Sequence, residues 1–199
     1  MDVVTAIMND HRLLEGLFKE LGSDAEDRAV LVEEVSARLR AHSRAEERYV
    51  YPVLAKIRPR EAGTEVVGDG GRVGLVHHGV QEHRGAEEKL DALRAVTDGD
   101  FPSALREFVD AVTHHVAEEE SEILPAIKES MSVRKRDELG RRFESSRINE
   151  LRRAGIDDGL TKEDLYIKAQ RAGIAGRSTM SRGELARALL AVRTHATTS

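Results

Sequence analysis

An all-α fold is predicted: an antiparallel four-helix bundle with an additional helix and a small C-terminal helical module. Three observations on this chain of 199 residues predict it. Apolar residues recur at spacings of three and four over four long stretches. Cysteine and tryptophan are absent and aromatics make up only 4%, so the core is built from Leu, Val, Ile and Ala. The first 130 residues also repeat themselves. His42-Ser-Arg-Ala-Glu46-Glu47-Arg-Tyr49-Val-Tyr51-Pro52 is echoed by His115-Val-Ala-Glu-Glu119-Glu120-Ser-Glu122-Ile-Leu-Pro125, offset by 73. Asp10-His11-Arg12-Leu-Leu-Glu15 is echoed by Glu82-His83-Arg84-Gly-Ala-Glu87, offset by 72. Two similar halves of two helices each describe a duplicated helical hairpin.

The first helix spans 2–22, with Val3, Ala6, Ile7, Leu14, Leu17, Phe18 and Leu21 on one face and His11 on the same side. Gly22 ends it, and Ser23 or Asp24 is placed to cap the next. The second helix carries Leu31, Val35, Leu39, His42, Glu46 and Tyr49; Pro52 kinks or ends it near its last turn and Pro59 closes it. Residues 58–74, rich in glycine and without periodicity, form the loop between the halves. A third helix runs from about Leu75 to Val96. The turn that follows it places Asp100 as a cap before Pro102. The fourth helix carries Leu105, Phe108, Val112, His115, Glu119 and Ile123. Two short turns and one longer crossover make the bundle antiparallel.

The bundle occupies residues 1–130, a connecting helix 131–157 and a small helical module 158–193. The connecting helix, roughly Val133 to Ala154, turns Leu139, Phe143 and Leu151 to the bundle and its arginines to water. Two capping-box patterns, Thr161-Lys-Glu-Asp164 and Ser181-Arg-Gly-Glu184, start the two helices of the module. Residues Thr194 to Ser199 are expected to fray.

Apolar content of 40% and charged content of 34% describe a soluble globular chain. No apolar run approaches the roughly 20 residues of a membrane span, and the N-terminal residues lack the pattern of a signal peptide. A cytoplasmic location, with no membrane partner, is the expectation. The absence of cysteine excludes disulfides, thiolate zinc sites, iron–sulfur ligation and cysteine nucleophiles. The net charge of −5 is uneven: from Arg147 onward ten Lys/Arg face six Asp/Glu, and the remainder holds 21 against 30. An acidic body with a mildly basic tail implies two functional units.

On an α-helix, residues four apart lie about 40° and roughly 6 Å apart, so His and Glu at that spacing reach one metal beside the helix. Imidazole suits iron, zinc, copper and nickel, and carboxylate can bridge two metals. The candidate ligands are His11, His42, Glu46, His83, His115 and Glu119. Four imidazoles and two carboxylates suit two adjacent ions better than one. Two unpaired carboxylates in a core would cost several kcal/mol each, whereas bound cations neutralise them and add folding stability. A single His-x-x-x-Glu is more often a surface ion pair. Two copies at a constant offset, each with a following proline and a preceding apolar-face histidine, are not explained that way. His114-x-x-x-Glu118 also fits the spacing, but only His115 reproduces the ten residues to proline. His77, His78, His114 and His195 lack repeat partners and are assigned to surface or loop. Glu15 and Glu87 are either acceptors for a ligand histidine N–H or polar flank. Tyr49 is a ligand, a donor near the ligands or core filler.

These residues resemble the hemerythrin-like (HHE cation-binding) domains over about residues 1–130, through His11, His42-x-x-x-Glu46, His83 and His115-x-x-x-Glu119. The resemblance implies a four-helix bundle around an oxo- or hydroxo-bridged centre of two iron ions. The pattern is most similar to bacterial stand-alone members. It departs from the animal oxygen carriers, which have a further histidine four residues on in the third helix, where Glu87 stands here. In their fourth helix they carry HxxxxD in place of HxxxE. A centre with fewer imidazoles implies ferric iron and peroxide chemistry rather than reversible oxygen carriage. The expected activity is catalase-like decomposition of hydrogen peroxide, a response to oxidative stress. The alternative is a module that senses or stores O2, nitric oxide or iron.

Residues Leu160 to Leu185 resemble the small helical N-terminal module of the transcription terminator Rho, a relative of SAP-type folds. That resemblance implies nucleic acid as a partner, with Lys162, Lys168, Arg171, Arg177, Arg182 and Arg187 as electrostatic footing. A docking module without a nucleic-acid role stands beside it.

Overall fold

The structure, a computed structural model, describes residues 1–23, 28–56, 71–97, 99–156 and 160–197; all regular structure among them is helical. The chain forms α1 (Val3–Leu21) and α2 (Arg28–Ala45), a π-helical turn Glu46–Val50, and α3 (Tyr51–Leu54). The second half repeats this with α4 (Gly71–Ala95), α5 (Phe101–Glu118), a π-helical turn Glu119–Ile123 and α6 (Leu124–Ser130). Then come α7 (Val133–Arg153), α8 (Lys162–Arg171) and α9 (Arg182–Thr197). Among the described residues, no helix is long and apolar enough to cross a membrane.

The two prolines explain the two π turns. Proline lacks an N–H and its ring crowds the carbonyl four residues back, so a regular α-helix cannot pass through it unchanged. In each half the chain admits one extra residue just before the proline. The Tyr51 N–H reaches the Glu46 carbonyl, and the Leu124 N–H reaches that of Glu119, each five residues back. Pro52 and Pro125 then sit in the first turn of α3 and α6, where no N–H is needed. The helix is bulged rather than ended.

Two apolar layers fill the bundle. One gathers Leu14, Leu17, Phe18, Leu39, Ala86, Leu90, Phe108 and Val112. The other gathers Val3, Ile7, Ala45, Val50, Tyr51, Ile123, Leu124, Leu139 and Phe143. The α7 helix lies along α1 and α2 with Leu139, Phe143 and Leu151 buried, as the sequence predicts. Gly140 permits this approach, because a Cβ there would collide with the backbone of Met1 and lie 2.9 Å from the Val3 nitrogen. Asp2 caps α1 through the Val4 N–H at 2.9 Å and accepts from Arg136 Nε at 2.6 Å, tying α1 to α7.

The C-terminal unit has its own small core of Leu165, Ala169 and Leu185. Thr161 and Asp164 form the expected capping box, and Ser181 accepts from the Glu184 N–H at 3.2 Å. Gly173 and Gly176 take φ of 71° and 68°, which the turn between α8 and α9 requires and side-chain-bearing residues resist. Arg187 on α9 reaches Glu20 at 2.6 and 2.7 Å and Glu34 at 3.1 Å, so the unit rests on α1 and α2.

Two local expectations are corrected. The third helix begins at Gly71, not Leu75, so residues 71–74 are helix rather than loop; 57–70 lie outside the described residues. Asp100 occupies the N-cap position with helical backbone and no capping bond, because Thr97 donates to its carboxylate at 3.4 Å. Ser23 Oγ donates to the Glu20 carbonyl at 2.6 Å; Asp24 and the residues leading into α2 lie outside the described residues.

Candidate metal centre

The centre lies between the two apolar layers. His11 is flanked by Ile7 and Leu14, His42 by Leu39 and Ala45, His83 by Val80 and Ala86, and His115 by Val112 and Ile123. All four histidines are at least 95% buried, and Glu46 and Glu119 are wholly so. His11, His42, Glu46 and Glu119 bring one ligand atom each within 4.8 Å of one another, and so do Glu46, His83 and His115. Glu46 belongs to both groups. The structure thus brings together all six residues proposed as ligands, in two sets that share a carboxylate.

Each ring is oriented by a carboxylate from a neighbouring helix. His11 Nδ1 lies 2.8 Å from Glu120, His42 Nδ1 3.3 Å from Asp10, His83 Nδ1 2.9 Å from Glu47 and His115 Nδ1 2.9 Å from Glu82. An ionised carboxylate only accepts, so the proton sits on Nδ1 and the Nε2 lone pair points inward. This is the tautomer a metal-binding imidazole needs. The pairing obeys the repeat: Asp10 and Glu82 correspond, as do Glu47 and Glu120. Two of these carboxylates are held from outside by guanidinium groups, Asp10 by Arg147 at 3.4 Å and Glu120 by Arg12 at 2.7 Å.

The inward-facing atoms lack partners. Nε2 of His11 and His42 and both oxygens of Glu46 and Glu119 are buried without a hydrogen bond. His11 Nε2 lies 3.2 Å from Glu119 and His42 Nε2 3.3 Å from Glu46, but not in hydrogen-bond alignment. On the other side, His83 and His115 Nε2 face each other at 3.1 Å. Buried polar atoms are normally satisfied. A ring of unpaired acceptors is the donor set that cations complete, and the residues fit that group.

The electrostatics agree. Burial pushes the Glu119 carboxyl up, and the nearby Glu46 charge pushes it further. Burial acts on Glu46 in the same sense, but His42 and His83 outweigh it and hold Glu46 well below the usual carboxylate range. Burial opposes charge on His42 and His83 too, yet their carboxylate neighbours raise both, His83 to about 9. Without a cation, the pocket relies on protons to settle its carboxylates.

Of the alternatives for Tyr49, Glu15 and Glu87, the geometry agrees with core filler and polar flank. Tyr49 does not face the centre: it is half-buried, with the Arg48 guanidinium 5.4 Å from its ring centroid. The π turn advances the helix face by one residue, so Tyr51 takes the inward position. Its hydroxyl is 3.4 Å from His83 Nε2, and its ring stacks on the imidazole. Burial and the charges of Glu46 and Glu119 raise the phenol strongly, so it keeps its proton. The repeat counterpart of Tyr51 is Leu124, which gives only one side of the centre a hydroxyl. Glu15 and Glu87 accept from no ligand histidine; they pair with Arg12 and Arg40 at the surface. The true acceptors were visible in the sequence as the residues preceding His11 and His83 and the second Glu of each H-x-x-x-E-E. His77, His78 and His114 are exposed, as expected, and the side chain of His195 lies outside the described set.

Comparison with curated proteins and with solved structures finds no match. Comparison with protein families does: residues 2–127 match the family described as the hemerythrin HHE cation binding domain. This stretch contains the two hairpins, both π turns and all six candidate ligands. With the repeat, the buried donor set and the match in agreement, the chain belongs to the hemerythrin HHE cation-binding family.

Proposed function

We propose that the chain is a non-haem di-iron protein that decomposes hydrogen peroxide in a catalase-like manner. His11, His42 and Glu119 would hold one iron, His83 and His115 the other, and Glu46 would serve both. The observation that carries this reading is the position of Glu46, fully buried, unpartnered at both oxygens and within reach of both histidine pairs. A single cation on His11, His42, Glu46 and Glu119 would leave the Nε2 atoms of His83 and His115 with only each other and the Tyr51 hydroxyl as partners. Imidazole and carboxylate ligands without thiolate suit iron. Bound iron supplies the electron transfer that peroxide decomposition requires.

The chain's own residues supply the rest. Asp10, Glu47, Glu82 and Glu120 keep the Nδ1 protons in place and fix the rings. The apolar layers above and below exclude bulk water. Tyr51 Oη holds a proton beside His83, and cleavage of an O–O bond needs a proton for the departing oxygen. Substitution of Glu46 or Glu119 by Ala is expected to abolish iron retention and peroxide turnover together. Turnover that survives iron loss contradicts the assignment.

A second reading, a di-iron module that senses or stores O2, nitric oxide or iron, is favoured by one contact. The C-terminal unit touches α2, the helix that carries His42 and leads into Glu46. Its discriminator is ligand binding without turnover, together with metal-dependent affinity for nucleic acid. Charge alone supports a nucleic-acid role for the unit, and its Arg187 is engaged with Glu20 and Glu34. That contact supports docking on the bundle instead.

A further inference from the structure

The outer face of the second hairpin carries a cluster of which the buried centre uses only Glu82, through its bond to His115. His78-Gly-Val-Gln-Glu82 on α4 and His114-His-Val-Ala-Glu118 on α5 are two more His-x-x-x-Glu pairs, and they face each other. His78 Nε2 lies 3.0 Å from Glu118 and 3.8 Å from Glu82; His114 Nε2 lies 3.1 Å from Glu118 and 3.7 Å from Glu82. Both imidazoles therefore converge on the same two carboxylates. Ligands each about 2.1 Å from one ion stand roughly 3.0–3.4 Å apart, so the two imidazole–Glu118 distances already match those around a single cation and the two to Glu82 are somewhat longer. His78, Glu82 and Glu118 already place one ligand atom each within 4.8 Å of one another.

Two observations separate the cluster from ordinary surface ion pairs. The first is what stands behind Glu82. Its Oε1 faces His78 and His114, while Oε2 is 2.9 Å from Nδ1 of the buried His115. Asp10 and Glu120, which orient His42 and His11, each have a guanidinium on their outer side. At Glu82 that place is taken by two imidazoles and a second carboxylate. The second observation is the broken repeat. Shifted by 73, His114 and Glu118 fall on Ala41 and Ala45, both fully buried, on a helix that α7 packs against. On the second hairpin the same face is open, with the side chains of His78 and His114 55% and 65% exposed.

The geometry points to a second, surface site for a divalent first-row transition cation, built from His78, Glu82, His114 and Glu118, that loads the buried centre. The loading role rests on the di-iron reading above; the surface site itself does not. Ferrous iron is the cargo, since imidazole with carboxylate is a donor set it accepts. Glu82 joins the two sites, one oxygen toward the surface cation and the other toward His115.

The test uses the full chain, with Co2+ as the probe of the surface site. Protein already filled at the buried centre is titrated with Co2+, comparing wild type with the double variant His78→Ala/His114→Ala. Both side chains are exposed, and neither is a ligand of the buried centre. Wild type is expected to take up one further cobalt. The variant should bind it about tenfold more weakly or worse, in line with the loss of metal-site groups, while its buried metal content stays unchanged. Equal cobalt uptake by both proteins overturns the surface site. Iron loading is then followed from metal-free protein and Fe2+, and the variant is expected to fill about tenfold more slowly. Loss of the cobalt site with an unchanged filling rate overturns the loading role. If the buried centre takes no iron, the histidine-dependent cobalt equivalent is still scored, so failure of the di-iron reading is separable from failure of this one.

Discussion

Tyr51 stacks on His83 with ring planes 12° apart and centroids 5.6 Å apart, and Gly79 makes room for it. A Cβ at Gly79 would lie 2.6 Å from the Tyr51 hydroxyl. Helix α4 therefore needs a residue without a side chain one turn before His83. The glycine, the phenol and the imidazole form one unit on the side of the centre where the repeat has a leucine instead.

From this unit comes the first prediction. Tyr51→Phe keeps the stacked ring and all six candidate ligands, so iron content is expected to be unchanged. Peroxide turnover should fall by about 100-fold, the scale of a lost proton donor. Gly79→Ala should displace the phenol and cost about 1–3 kcal/mol through overpacking. Oxygen evolution, metal analysis and denaturant unfolding of the two variants check this. Full activity in Tyr51→Phe removes Tyr51 from the mechanism.

The outer carboxylates give a second prediction. Glu47→Gln and Glu120→Gln should each weaken iron retention by about 10–100-fold, because a neutral amide orients a ligand imidazole less well. Glu15→Gln and Glu87→Gln, whose side chains pair with surface arginines, should leave retention unchanged. The readout is the iron remaining after a chelator challenge, and equal losses from all four variants would contradict the assignment.

Stability against pH should distinguish the metal-free from the metal-loaded protein. In the metal-free fold His83 is raised to about 9, and His42 is raised as well. A histidine raised on folding contributes stability that is present below its ordinary value of about 6.5 and lost as pH climbs through the raised one. The raised Glu119 carboxyl acts in the same direction, since its protonated form suits the fold and is lost on the alkaline side. Metal-free protein should therefore lose stability between about pH 6.5 and 9. Bound cations take neutral imidazole, so loaded protein should be nearly flat over that window. Thermal unfolding across pH, with and without metal, tests both halves of the statement.

Arg187→Ala should release the C-terminal unit without unfolding the bundle. The substitution removes the fork to Glu20 and one of the cations facing buried Glu34, at a cost of about 1–3 kcal/mol. Hydrogen exchange should quicken over α9 and leave α4 and α5 as in wild type. Uniform quickening would mean that the unit and the bundle unfold as one.

Much of this arrangement was legible in the sequence, and the parts that were not share a physical cause. Four helices, their order and six inward-facing residues followed from apolar spacing and from the offsets between His42 and His115 and between His11 and His83. The exchange of Tyr49 for Tyr51 did not, because a helical wheel assumes a constant turn and each π bulge changes it. Pro52 and Pro125 marked the place, but not whether the helix would stop or bulge there. Spacing along a helix offers Glu15 and Glu87 as acceptors because they share a helix with His11 and His83. The orienting groups instead come from adjacent helices, a relationship that spacing along one helix cannot express. The pairing of His78 with His114 was hidden for the same reason.

The central claim is most directly tested by metal content and the visible spectrum of protein purified without added metal, followed by addition of hydrogen peroxide. The account predicts about two irons per chain, as six ligands sharing one carboxylate require, with near-ultraviolet bands of bridged ferric iron and evolution of oxygen. Iron-free protein, in which His42 and His115 can be replaced without changing metal content or stability, would contradict it.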